Sequence, residues 1–348
     1  TIAIPQLEEM QKDGEDGRKK LTKITRYLTV VLALIESIAM SVGFGRQGLL
    51  KEYNFVNAAI VVLTLTAGSA FLMWAGEQIT EKGVGNGISI VLVINILSRV
   101  PNDMTTLYSQ FVKGKSIAKG GLAAVIILAI ILALVVFTTL LQDAERRIAV
   151  QYSQKVTGRR TYGGQTTHIP LKVNTAGVIP IIFASSLMQF PIVIASFLGK
   201  GNGSGIGSEI LRGMNQSNWC NPQNIKYSWG LVVYIILTVF FAYFYTSITF
   251  NPMEIANNMK KSGGFVPGIR PGRPTVEYLT RILNYVIFMG AVGLVIIQFV
   301  PILFNGWLGA KVSFGGTSLI IIVSVILETL KQIESQMLVR NYKGFLNN

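Results

Sequence analysis

Uninterrupted apolar runs constrain this chain more than any other feature. Gly121–Gln142 contains no charged residue, and neither does Trp229–Phe250. A bilayer core is crossed by about 20 apolar residues in a helix. Tyr27–Gly43, Phe55–Ala75, Val173–Gly199, Leu279–Phe304 and Ser313–Leu330 read the same way. Val84–Ser98 is a shorter eighth candidate that opens on Gly85, Asn86 and Gly87 and carries Asn95. Composition agrees: 50% of the residues are hydrophobic and 14% charged, where soluble domains hold about 25% charged. This excludes a disordered chain, and the single Cys220 excludes a disulfide scaffold. The class expected is an all-α membrane protein, a polytopic helical bundle.

The charge is lopsided: 31 Lys and Arg against 17 Asp and Glu, a net +14. In a soluble protein this would suggest nucleic acid; in a membrane protein it reports the positive-inside bias. With eight spans, 21 of the 31 basic residues fall in segments 1–26, 76–87, 143–172, 251–281 and 331–348. The alternate segments hold 10. The richer set is assigned to the cytoplasm, which puts both ends of the chain there. Omitting Val84–Ser98 would place the basic loops 143–172 and 251–281 opposite the basic first segment, so the charge pattern favours eight crossings.

Those two loops are the expected carriers of function. Loop 143–172 contains Glu145-Arg146-Arg147 and Thr157-Gly158-Arg159-Arg160; loop 251–281 contains Phe265-Val266-Pro267-Gly268-Ile269-Arg270-Pro271-Gly272-Arg273. Topology signalling needs only scattered Lys and Arg. A long loop of Gly, Pro and Arg makes a stiff cationic tip. Arg pairs bidentately with phosphate or carboxylate, so RNA and an acidic protein are both suitable partners. Segment 200–226, with Gly201, Gly203, Gly205, Gly207 and then Trp219-Cys220-Asn221-Pro222, reads as a flexible surface loop.

The apolar spans carry little that could do chemistry. Glu36 is the one acid well inside a span, and Glu328 lies near the end of the last. His168 is the only histidine, so no zinc ligand set is visible and no metal or cofactor is expected. No nucleophile–base pair stands out, and no enzyme activity is expected. Gly83-Val84-Gly85-Asn86-Gly87 lacks the strand and acidic partner of a dinucleotide motif. Asn95, Asn174, Gln189 and Gln298 suit helix–helix hydrogen bonds or the lining of a path. A solute transporter is the alternative to a channel; it needs a polar substrate site near the midplane.

Several long motifs resemble the SecY family, the pore subunit of the general protein-secretion translocase. They are Gly76-Glu77-Gln78-Ile79-Thr80-Glu81-Lys82-Gly83-Val84-Gly85-Asn86-Gly87-Ile88-Ser89, then His168-Ile169-Pro170-Leu171-Lys172-Val173-Asn174 with Ala176-Gly177-Val178-Ile179-Pro180. Asn251-Pro252, the Phe265–Gly272 run and Phe314-Gly315-Gly316-Thr317-Ser318-Leu319 follow in order. The resemblance covers essentially the whole chain. It implies a SecY-like channel with eight of ten transmembrane helices, the third to the tenth. Thr1-Ile2-Ala3-Ile4-Pro5 then reads as the end of the second, with the first helix and the plug upstream. Residues 1–98 would complete the N-terminal half, and residues 99–348 would form the C-terminal half.

By motif position, the family's apolar pore ring would fall on Ile88, Leu92, Ile182 and Ile321. The polar cluster of the lateral gate would fall on Glu36, where many relatives carry Gln, and Asn174. Docking of the ribosome, through its RNA and proteins, and of the SecA motor ATPase would fall on Arg159, Arg160 and Arg270. The resemblance further implies SecE-like and SecG-like membrane subunits, signal sequences and nascent chains as clients, the lipid bilayer as exit, and a bacterial plasma membrane location.

Overall fold

A computed structural model gives the fold. It describes residues 13–46, 48–50, 52–114, 117–152, 155–157, 160–162, 166–197, 205–307, 309 and 316–345, with positions 7 and 10. The chain separates into two units. One holds residues 1–98, 190–211 and 325–348; the other holds 99–189 and 212–324.

Helices account for most of it. They are α1 (Gly14–Arg46), α2 (Phe55–Lys82), α3 (Gly87–Leu107), α4 (Ile117–Asp143), α5 (Ile179–Phe197), α6 (Ile206–Met214), α7 (Trp229–Thr249), α8 (Pro252–Lys261), α9 (Arg273–Trp307) and α10 (Gly316–Phe345). By length and composition, α1, α2, α4, α7 and α9 suffice to cross a membrane, and α5 supplies a shorter apolar stretch, Ile179–Ala195. The second half of α3 carries Arg99, Pro101 and Asp103, and that of α10 is charged. On α4 the side chains of Leu122, Val125, Leu128, Leu132, Val136 and Leu140 are all exposed. An apolar surface this continuous needs lipid against it.

Within the first unit, α1 and α2 form a hairpin joined by small polar groups. Thr66 Oγ1 donates to Ser37 Oγ at 3.2 Å, and Ser41 Oγ to the Ala58 carbonyl at 3.3 Å. Short hydroxyl side chains let two helices approach and satisfy one another in an apolar medium. The Arg26 guanidinium, in the first half of α1, meets Glu77 near the end of α2 at 2.7 Å.

The second unit has a core of Leu141, Ile181, Ala184, Met188, Trp219, Leu231, Tyr234, Leu294, Ile297 and Ile320. Glycines on α9 bring its neighbours close. A Cβ on Gly290 would overlap the Val173 carbonyl, and one on Gly293 would lie 2.6 Å from a Leu141 methyl.

Two regions differ from the sequence expectation. The basic loops are not turns alone. Strands β1 (Glu145–Tyr152), β2 (Lys155–Thr157), β3 (Arg160–Tyr162), β4 (Thr166–Lys172) and β5 (Gly264–Phe265) form two antiparallel sheets, ordered β4-β1-β5 and β2-β3. Ile148 pairs with Ile169, and Gln151 with both Thr166 and Phe265, so one sheet ties the two loops together. Alternation along β1 sends Ile148 and Val150 into a core with Leu171, Ala256, Met259, Val266 and Leu279. This period-2 pattern is short and was hidden among charges.

Segment 200–226, read as a flexible surface loop, is largely structured within residues 205–226. Trp219 is fully buried, packs at a tilt against Tyr234 with centroids 5.3 Å apart, and donates from Nε1 to the Gly213 carbonyl at 2.6 Å. The adjacent Cys220 takes a positive φ of 56°. Burial pushes its thiol pKa up, which keeps it protonated and weakly nucleophilic. Residues 200–204 lie outside the described residues.

Trp219→Ala should lower stability by about 3–5 kcal/mol, the range for emptying a buried aromatic site. A thermal midpoint in detergent reads this, and Trp219→Phe should recover part of the loss. An unchanged midpoint in the Ala variant would show that this anchor is dispensable.

Candidate functional site

The glycine-rich turn between α2 and α3 is the most fully determined part of the site. Gly85 has φ +90°, a region that L side chains rarely adopt. Asn86 then caps α3: its Oδ1 accepts from the N–H of Ile88 at 3.1 Å and of Ser89 at 3.4 Å. Gly87 donates to Thr80 Oγ1 at 2.9 Å, and a Cβ there would overlap the Gly76 carbonyl oxygen. The motif is a tight helix-to-helix reversal that fixes where α3 begins. The expected span Val84–Ser98 therefore starts as helix at Gly87 and runs on to Leu107.

This turn sets Ile88 and Leu92 one helical turn apart on a single face of α3. Both are exposed, at 54% and 47%. In the second unit, each of the other two ring candidates follows a fully buried neighbour. Ile181 and Ile320 belong to one core, while Ile182 is 43% exposed and Ile321 half-buried. The four ring candidates thus divide two and two between the units.

The gate candidates also divide. Glu36 is exposed on α1 in the first unit, next to the buried Ser37. Asn174 is buried in the second, in the turn before α5. That turn replaces the start of the expected span Val173–Gly199. Val173 N–H donates to the Ala144 carbonyl at 2.8 Å, and Gly177 adopts φ +63°. Among the described residues, Asn174 Nδ2, Gln142 Nε2 and both amide atoms of Gln298 are buried without a hydrogen-bond partner.

The 251–281 loop presents its arginine by construction. Asn251 caps α8, accepting from Met253 and Glu254, with Pro252 in the first turn. Pro267 and Gly268 occupy the centre of a turn closed by Ile269 N–H to the Val266 carbonyl at 3.1 Å. Gly268 at φ +81° completes the signature of a type II turn. Val266 is buried in the sheet core and Ile269 packs against it, while Arg270 is exposed. Thr275 Oγ1 holds the Arg270 carbonyl at 2.9 Å. Arg159 lies outside the described residues; Arg160 opens β3, and only its backbone is described. His168 is exposed on β4 opposite Ala149. Among the described residues no three His, Cys, Asp or Glu side chains are grouped to hold a metal.

Long apolar helices and structured basic loops define a polytopic helical membrane protein. Comparison identifies which one. The SecY family model matches residues 1–330. The protein translocase subunit SecY of Corynebacterium glutamicum is 43% identical over 361 aligned positions, covering 99% of this chain and 79% of the relative. That of Bacillus subtilis is 43% identical over 357 positions with the same coverage. Among solved structures, a SecY channel reported for the plug domain that stabilises its closed state aligns with TM-score 0.63 at 16% identity, covering 93% of this chain and 76% of that one. Canine Sec61 in a ribosome-channel complex aligns at TM-score 0.59 and 16% identity, covering 93% and 75%.

The chain belongs to the SecY family. It is a protein-conducting channel subunit and a multi-pass protein of a bacterial membrane. This sets aside the solute-transporter alternative. Sequence reasoning found the glycine motif, Thr80 included, but not the distant residues that meet Gly85, Thr329 and Gln332, which no local pattern marks.

Gly87→Ala should destabilise by about 1–3 kcal/mol, the cost of forcing a methyl into packed backbone. Gly68→Ala, with nothing within 4 Å of the added carbon, should stay within about 1 kcal/mol of the parent. Equal thermal midpoints for the two variants would contradict the close approach at Gly87.

Proposed function

We propose that this subunit passes unfolded secretory polypeptides across the bacterial plasma membrane through a collar of Ile88, Leu92, Ile182 and Ile321, and releases membrane segments sideways into lipid. The observation that carries the reading is the alternation at Ile181–Ile182 and Ile320–Ile321. One isoleucine anchors the helix in the core and the next is left outside it. A narrow apolar constriction dewets and resists ions, while flexible side chains yield to a passing chain. Glu36 and Asn174 would belong to the lateral gate, where an apolar segment partitions into lipid at about 25 cal/mol per Å² buried.

Eight crossings, with residues 1–98 and 99–348 as the two halves of the channel, agree with the distribution of Lys and Arg. That distribution also favours cytoplasmic positions for both ends of the chain and for the two basic loops. Arg270, held out from the rigid tip, together with Arg159 and Arg160, would dock an anionic or acidic partner, a ribosome or the SecA ATPase. The Sec61 relative in a ribosome-channel complex supports the first of these. SecE-like and SecG-like subunits would complete the assembly. The work of transport belongs to the partner, and this chain supplies the path.

Arg270→Glu should abolish or severely reduce secretion of a reporter while the protein accumulates and inserts normally. Normal secretion at normal expression would contradict the docking role. Ile182→Asn combined with Ile321→Asn should raise resting ion conductance or admit substrates with defective signal sequences. Unchanged conductance and unchanged selectivity in that double variant would contradict the collar.

A further inference from the structure

We propose that Gln332 is a positioning residue for the channel: its side-chain amide clasps the Gly85–Gly87 turn and thereby fixes α3 and the two collar residues it carries. Gly85 N–H donates to Gln332 Oε1 at 2.8 Å, across 247 residues of sequence. Both groups belong to the same unit. This N–H lies between the end of α2 and the start of α3, so neither helix uses it, and Gly85 is buried. Gln332 itself is exposed and the bond part-buried, so losing the acceptor leaves this N–H poorly satisfied rather than wholly desolvated.

The contact is specific to a glycine. A Cβ on Gly85 would stand 3.1 Å from Thr329 Oγ1 and 3.2 Å from Ile90 Cδ1. Thr329, one helical turn before Gln332, donates its hydroxyl to the Val325 carbonyl at 2.7 Å and so rests against the turn in a fixed rotamer. Beyond this point α3 and α10 flank an open, mostly apolar groove lined by Ile90, Val93, Ile94, Val325, Ile326, Thr329 and Leu330. The clasp therefore joins the helices at a place where their side chains do not fill the space between them.

The next residue, Asn86, caps α3. A helix moves as a stiff body, so a shift of its capped end carries Ile88 and Leu92 with it. Holding Gly85 holds the height and rotation of both side chains. The proposal rests on the reading of Ile88 and Leu92 as collar residues.

The hydrogen bond uses Gln332 only as an acceptor. Gln332→Glu keeps an acceptor oxygen, whereas Gln332→Lys offers donors alone. The test is the resting ion conductance of the whole channel complex in planar bilayers, together with secretion of a reporter with a crippled signal sequence. Gln332→Lys should raise both by about two- to tenfold, the range set by loss of one such hydrogen bond. Gln332→Glu should match the parent. If the Lys variant does not accumulate, Gln332→Leu, also without an acceptor, takes its place with the same expectation. Ile88→Asn with Leu92→Asn is measured in parallel. A leak in that pair with parental behaviour in Gln332→Lys or →Leu overturns the clasp alone. No leak in the Ile88 and Leu92 pair overturns the collar reading, and the clasp's role with it. A leak in Gln332→Glu equal to that in Gln332→Lys also overturns the clasp, because acceptor chemistry would then not matter.

Discussion

Unsatisfied backbone polar groups are what this structure is organised to avoid. In a lipid solvent a helix satisfies its own N–H and C=O groups, and any interruption has to bring its own partners. Among the described residues, several departures from helical geometry, in segments that the charge pattern assigns to the aqueous ends of the helices, carry a dedicated device. Between α2 and α3, Thr80, Asn86 and Gln332 take the N–H groups of Gly87, Ile88, Ser89 and Gly85. Before α8, Asn251 does so for Met253 and Glu254. After α6, the Trp219 indole occupies the Gly213 carbonyl. Between α4 and the turn that leads into α5, a β-sheet does the same work on a larger scale. The helices supply the wall, and these reversals determine where each helix starts and which residues face away from its core.

The same economy separates the two tasks of the molecule. Polypeptide passage calls for an interior with little fixed charge, and the buried polar groups in the second unit are amides and hydroxyls apart from Asp103. Partner engagement calls for concentrated charge on a rigid mount. The loop sheet has its own core of Ile148, Val150, Leu171, Met259 and Val266, so the Arg270 tip stands on packed structure. The proline and the positive-φ glycine before it remove conformations that an ordinary loop would lose on binding. The exposed basic tip and the proposed channel lining therefore sit on different elements and can be altered separately.

Much of this was legible in the sequence. Apolar runs located α2, α4, α7 and α9, whose physical signal is a long uninterrupted period. The family resemblance named the class, and family membership bears it out. What escaped was carried by short or distant patterns. Strand β1 shows its alternation only at Ile148 and Val150, beside Arg146 and Arg147. Trp219 sits among Gly, Asn and Pro, which signal a loop by composition, yet its indole is fully buried and the segment around it is structured. The Gln332 contact spans most of the chain and leaves no local trace. Glu36 and Asn174 were legible as polar positions, but in the structure they belong to separate units, one exposed and one buried.

Site-specific photocrosslinking during transport tests the central claim most directly. A photoreactive residue at Ile182 or Ile321, in channel complexes holding an arrested secretory chain, should form adducts with that chain. The same probe at Leu128 or Leu132, on the exposed apolar surface of α4, should label lipid. Adducts to the arrested polypeptide from the α4 positions, with none from Ile182 and Ile321, would contradict a path lined by these isoleucines.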